Sequence, residues 1–129
     1  MSWEIEESEV RQILALPAGD RVITFFQLAA DWEEVWGLKD EQGWVVAKET
    51  DALPLWPHDA FAEACARGAW DGAVPEPLPV DDLLDELLPL LEEDGLQVAV
   101  FPTPEDPGTL MPPGEVGEWL ERELEIGGE

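Results

Sequence analysis

No Tyr occurs among the 129 residues, Cys and His occur once each, and only 6 Lys and Arg stand against 31 Asp and Glu, a formal charge of −25. Each scarcity rules out a class of protein. Neutralising nucleic-acid phosphates takes Lys and Arg in numbers this chain does not have, so direct nucleic-acid binding is excluded. Cys65 has no second Cys to pair with, which excludes a disulfide-stapled secreted module. A structural zinc site takes four Cys or His ligands, and the chain has two such residues in all, so no metal site is expected. Long apolar runs are missing too. The longest uncharged stretch, residues 95–104, is about half of what a bilayer crossing needs. The opening MSWEIEESE is acidic, the reverse of a signal peptide's basic start. The expected location is the cytoplasm, away from membranes.

What the chain does have is 45% apolar residues with seven Trp and four Phe, enough to bury a core despite the acidity. One domain, 1–129, is the expectation at this length, with residues 1–20 as a helical N-terminal extension. The charge has two readings. The plain one is solubility, including in a salt-rich cytoplasm. The sharper one is a surface that faces a basic protein or mimics nucleic-acid phosphates. Charge excess by itself speaks to solubility and association rather than to a site.

Along the chain, Val10, Ile13 and Leu14 recur at helical spacing after Ser8, a candidate N-cap, and Pro17 closes the segment. RVITFFQLAAD (21–31) carries both a helix face (Val22, Phe25, Phe26, Ala29) and a β-branched run, and its spacing favours helix. EVWGL (34–38) and WVVAK (44–48) form an expected hairpin across KDEQG, with ALPLW (52–56) as a short edge strand. HDAFAEACARG (58–68) reads as a short helix, and AWDGAVPEPLP (69–79), with its three prolines, as a loop. In VDDLLDELLPLLEEDG (80–95), Val80, Leu83, Leu84, Leu87, Leu88 and Leu91 make an apolar stripe. Asp81, Asp82, Asp85 and Glu86 take the opposite, acidic face, and Pro89 should kink or tighten the last turn. LQVAVF (96–101) reads as a buried strand, TLM (109–111) as a brief one, and 113–125 as a final acidic helix.

Taken in order, VWGLKDEQGW, ALPLWPH, FAEAC and DDLLDELLPLLEEDGLQVAVFPTP resemble a family of small bacterial proteins classed only as a domain of unknown function, the one numbered 2750. The resemblance runs from about residue 21 to the C-terminus. It implies an α+β domain and supports the helical reading of 21–31. It brings no activity and no assigned site residues.

The search for chemistry finds no reactive pairing. His58 and Cys65 lie seven apart on one expected helix, about 10 Å along its axis at 1.5 Å per residue, too far to pair. Cys65, amid Ala and Phe, reads as an inert core thiol, and His58 near a helix start as a capping or packing residue. The carboxylates lack an EF-hand's alternating loop, so Asp81, Asp82, Asp85 and Glu86 read as a solvated face rather than a loose cation site. No dinucleotide, P-loop or nucleophile-elbow signature occurs. The seven Trp are a surplus. Core packing explains most of them, while a ligand cleft would gather Trp44, Trp56, His58 and Trp70, with Arg67 as a local cation or a helix C-terminal charge.

The expectation is therefore an α+β domain: a small, mainly antiparallel sheet (34–38, 44–48, 96–101) with about four to five helices packed mostly on one face. The leading function is a non-enzymatic interaction protein, of inhibitor, immunity or adaptor type, meeting a basic partner and needing no cofactor. The alternative is a small-ligand or peptide binder with a Trp-lined cleft. A carboxylate-dependent hydrolase is the remote third.

Overall fold

Apolar spacing decides where helices form. Val22, Phe25, Phe26 and Ala29 sit at i, i+3, i+4 and i+7, and all four are buried on one face of the 15-residue helix Ala18–Trp32. The computed structural model describes residues 5–66 and 70–127 of the chain. Among them are five helices: α1 (Glu7–Leu14), α2 (Ala18–Trp32), α3 (Asp59–Cys65), α4 (residues 80–94) and α5 (Pro113–Gly127). The six strands are β1 (Glu34–Asp40), β2 (Gly43–Trp44), β3 (Ala52–Leu55), β4 (Val74–Pro79), β5 (Gln97–Val100) and β6 (Thr109–Met111). The α+β class is as the sequence indicates. Ser8 does not cap α1, because Glu6 holds the N-cap position without a side-chain bond.

The strands form two three-stranded sheets, ordered β2-β1-β4 and β3-β5-β6, rather than the one sheet expected. All pairs are antiparallel except β3 with β5. A reciprocal pair of backbone hydrogen bonds, Trp36 N–H to Trp56 O and Trp56 N–H to Trp36 O, both 2.8 Å, ties β1 to the end of β3 and so joins the sheets. The hairpin is tighter than KDEQG implies. Only Glu41 and Gln42 lie between paired Asp40 and Gly43, with Gln42 N–H held by Asp40 Oδ1 at 2.8 Å and Gly43 at φ +112°. Consequently β2 is two residues long, and Val45 leaves the ladder after one bond to Leu38 O.

β4 is the larger correction, since its prolines had indicated a loop. Trp36 spends its N–H and C=O on Trp56, so its cross-strand pair with Pro77 is a non-hydrogen-bonded one. By alternation Pro75 and Pro79 occupy the same kind of pair, and all three imino nitrogens face away from β1. Val74, Glu76 and Leu78 keep their N–H groups for the ladder. Proline at every second residue is thus compatible with an edge strand and blocks that edge against a further strand.

Helix α4 is continuous but not uniform. Val80–Asp82 is α-helical, Leu83–Leu87 forms a π turn, and Leu88–Asp94 returns to α geometry. Pro89 is the cause. Its ring would clash with the carbonyl of Asp85, four residues back, and it has no N–H to offer. The wider turn, with Leu88 N–H bonded to Leu83 O, moves that carbonyl aside. Pro89 therefore opens the helix, where tightening or kinking was expected. Gly95 ends it at φ +74°, with Leu96 N–H on Leu91 O at 2.8 Å and Gly95 N–H on Glu92 O at 3.2 Å, a Schellman cap.

One apolar cluster runs through both sheets and the helices, from Val22 to Leu120. Trp56, Phe25, Phe26, Phe61 and Phe101 are its largest fully buried members. Such side chains contribute on the order of 1.5–3 kcal/mol each through burial. Phe26 meets Trp119 at 5.3 Å between ring centroids, which fixes α5 against α2.

A buried cation organises the 101–108 loop. Arg21, 4% exposed, donates Nε–H to Phe101 O at 3.2 Å and an Nη1 hydrogen to Leu16 O at 2.7 Å. Its Nη2 stands 2.9 Å from Asp106 Oδ2, an ion pair without good hydrogen-bond alignment. Asp106 also accepts Gly108 N–H at 2.9 Å. That backbone bond first, and then the Arg21 guanidinium, hold the Asp106 carboxyl below its ordinary value of 3.8. A depressed folded-state pKa stabilises above the unfolded value, and the benefit is lost as pH falls through the folded one. On acidification below about pH 4, the melting temperature of the wild type should therefore fall relative to that of Asp106→Asn. Thermal melts of both proteins from about pH 6 to about pH 2.5 check this, because the other carboxylates are common to the pair. Parallel curves would show that Asp106 contributes nothing.

Candidate functional site

The aromatic residues that a ligand cleft would gather are distributed between core and surface. Trp56, carried just past β3, is fully buried, and its indole Nε1–H donates to Pro102 O at 2.8 Å. Half-buried Trp70 meets it edge-on, 6.2 Å between centroids. Trp44 lies elsewhere, across Gly37 on β1. A Cβ added to Gly37 would stand 2.8 Å from that ring, so glycine is what admits it. The Lys39 ammonium sits 4.7 Å from the centre of the Trp44 ring, a cation–π contact. Trp56 and Trp70 are thus brought together, while Trp44 is engaged by its own hairpin. Arg67 lies outside the described residues.

His58, 5% exposed, caps α3 by accepting Ala60 N–H on Nδ1 at 3.0 Å. The same nitrogen is 2.8 Å from Asp59 Oδ1. One nitrogen cannot accept and donate at once, so the ring caps the helix when Nδ1 is bare and pairs with Asp59 when Nδ1 carries a hydrogen. Cys65 is buried and donates Sγ–H to Pro102 O at 3.4 Å, the carbonyl that Trp56 also uses. Two side chains converging on one carbonyl anchor the loop from the β3–α3 side, as Arg21 does from α2. The arrangement is a structural clasp. Among the described residues, no three of His, Cys, Asp and Glu gather as metal ligands would, and no helix is long and apolar enough to cross a membrane.

Asp81, Asp82, Asp85 and Glu86 all project from α4 into solvent. The concave feature beside them was not anticipated. Helices α4 and α5 together line an open groove of about 600 Å³. Its apolar floor is Leu84, Leu88, Pro89 and Pro113, and Gly114 and Gly117 form the α5 wall. Its rim is acidic on both sides: Asp85, Glu92 and Glu93 from α4, and Glu121 from α5. Among the described residues, none of those lining it is Lys or Arg. The π turn contributes directly, because Leu84 of the floor lies within it and is left half-buried.

Only Asp85 joins this groove to the residues singled out in the sequence. The sequence signal for the remainder is a pair of glycines, 114 and 117, on the apolar side of an otherwise strong helix. Both positions have room for more. A Cβ on Gly117 would meet Leu88 Cδ1 at 3.6 Å and Leu84 Cδ2 at 3.8 Å, and one on Gly114 would meet Glu92 Oε2 at 3.8 Å, all ordinary contacts. Alanine is better than glycine within a helix by roughly 0.5–1 kcal/mol. Gly117→Ala should therefore stabilise the protein by about that amount in urea unfolding. Destabilisation would show that α4 and α5 pack more closely there than these distances state.

No curated protein and no solved structure matches the chain significantly. A family model does match residues 23–120, which takes in most of α2, both sheets, the Trp56–Cys65–Pro102 contacts and most of the groove. The chain belongs to the family described as "Protein of unknown function (DUF2750)".

Proposed function

We propose that the protein is a non-enzymatic interaction module that meets a basic protein partner through its acidic surface. The observation that carries this reading is how few cations stand on the surface among the acids. Of 6 Lys and Arg against 31 Asp and Glu, Arg21 is buried against Asp106 and Lys39 is held over Trp44. The remaining field is strongly negative, which repels nucleic acid and anionic lipid and accelerates encounter with basic proteins. The concave groove supports the reading further, since it adds apolar contact to charge and a surface built for solubility alone has no need of it.

The experiment is affinity capture from the native cell extract on the immobilised protein, followed by purification of each retained protein and a binding titration at about 50 and about 500 mM salt. The expected partner is basic, saturates at a fixed stoichiometry and weakens at least tenfold at the higher salt. A partner that is neutral or acidic, or whose affinity ignores salt, would contradict the proposal.

A further inference from the structure

We infer that the groove between α4 and α5 receives an amphipathic helix of the basic partner, with aliphatic side chains seated on Leu84 and Leu88 and Lys or Arg flanks meeting Glu92 and Glu121. This inference rests on the interaction reading above and assigns it a place and a ligand class. Three observations meet at the groove.

The first is its shape. An open groove along two packed helices is a seam, and a third helix can lay its apolar ridge there as it would in a bundle. The second is charge. Acidic groups line both edges over an apolar floor, with no basic residue among the lining, so an incoming helix needs an apolar stripe and cationic shoulders. A neutral apolar helix would leave those carboxylates facing it unpaired, and an acidic one would be repelled. The third is the wall. Gly114 and Gly117 keep space open at a cost in helix stability although alanine would fit, the pattern of a segment shaped for contact rather than for its own stability.

The depth is limited because Leu88 is almost wholly buried and only Leu84 is half-buried. The floor therefore takes two or so aliphatic knobs rather than a long row. Most of the length of the occupant would lie along the carboxylate rims. Affinity should accordingly depend on salt and on the placement of the apolar residues together.

The test uses two fluorescein-labelled peptides of about 18 residues and identical Leu and Lys composition. In one, Leu recurs at i, i+3, i+4 and i+7; in the other, the order is scrambled so that no face is apolar. Fluorescence anisotropy against the full chain should show the amphipathic peptide binding at least tenfold more tightly. Gly117→Leu, which fills the wall, should abolish that preference while leaving the scrambled peptide's weak binding unchanged. Glu92→Gln with Glu121→Gln, both at exposed positions, should weaken the amphipathic peptide severalfold and serves if Gly117→Leu does not fold. Equal binding of the two peptides would overturn the groove while leaving an acidic surface that attracts basic chains. A preference that survives both variants would also overturn it. Binding of neither peptide would sink the groove and the interaction reading together.

Discussion

Arg21→Met is expected to lower the unfolding free energy by about 3–5 kcal/mol, among the largest effects of any single substitution in this chain. Methionine keeps most of the length and the apolar stem of arginine but carries no donor. Phe101 O and Leu16 O would both lose the hydrogen bonds they now receive from the guanidinium. A buried carbonyl without a donor costs on the order of 1–3 kcal/mol. Asp106 would lose its cation as well, although it is exposed enough for water to take part of that place. Arg21→Lys should recover only a fraction, because one ammonium cannot reach three acceptors from a planar fork. Urea unfolding of the three proteins gives the values. A loss under about 1 kcal/mol for Arg21→Met would mean that the 101–108 loop is held by its own turns, not by the cation beneath it.

Trp56→Ala is expected to cost a similar amount, about 3–5 kcal/mol. The indole is fully enclosed, meets Trp70 edge-on and donates to Pro102 O. Alanine leaves a large cavity at the junction of the two sheets and removes the indole donor from the Pro102 carbonyl, which Cys65 also serves. Trp56→Phe should cost less, about 1–2 kcal/mol, since ring burial is mostly kept and only the N–H is lost. These two variants bear on function as well as stability. A Trp that belonged to an open ligand cleft would tolerate truncation with little loss. Equilibrium unfolding that finds Trp56→Ala within about 1 kcal/mol of wild type would therefore revive a binding role for this cluster.

Local patterns made much of the fold readable before any coordinates. The spacing of Val22, Phe25, Phe26 and Ala29 announced α2, the leucines of 80–91 announced α4, and Gly95 marked where that helix stops. Each is a property of a few neighbouring residues. The structure departs from the local pattern where one signal has two physical solutions. Three alternating prolines normally mean a loop; beside β1 they make a strand, because the partner's hydrogen bonds fall on the residues between them. Pro89 in a helix can bend it or widen it, and the packing of Leu83, Leu87, Leu88 and Leu91 in the core selects widening. Val45 and Val46 have strand propensity, yet the two-residue turn at Glu41 and Gln42 leaves them only a brief ladder.

The candidate site was less legible than the fold, and for a different reason. The groove depends on how residues 84–93 stand relative to 113–121, segments that share no motif and are separated by β5, the clasped loop and β6. Sequence periodicity places the carboxylates on the outside of both helices but does not say that two acidic edges face one another across a gap. Gly114 and Gly117 were the one available hint. They interrupt helix propensity in a segment whose neighbours Val116, Trp119 and Leu120 are typical of a packed face. The aromatic surplus pointed instead to Trp44, Trp56 and Trp70, whose rings the structure accounts for by packing on Gly37, on the sheet junction and on one another.

The most direct measurement of the central claim is a nitrogen–proton correlation NMR titration of the uniformly labelled protein with the amphipathic Leu/Lys peptide. The perturbed amides should map to residues 84–93 of α4 and 113–121 of α5, with the hairpin and the Trp56–Trp70 contact unmoved. Perturbations centred on Trp44, Trp56 and Trp70, or spread evenly over every acidic face, would contradict it.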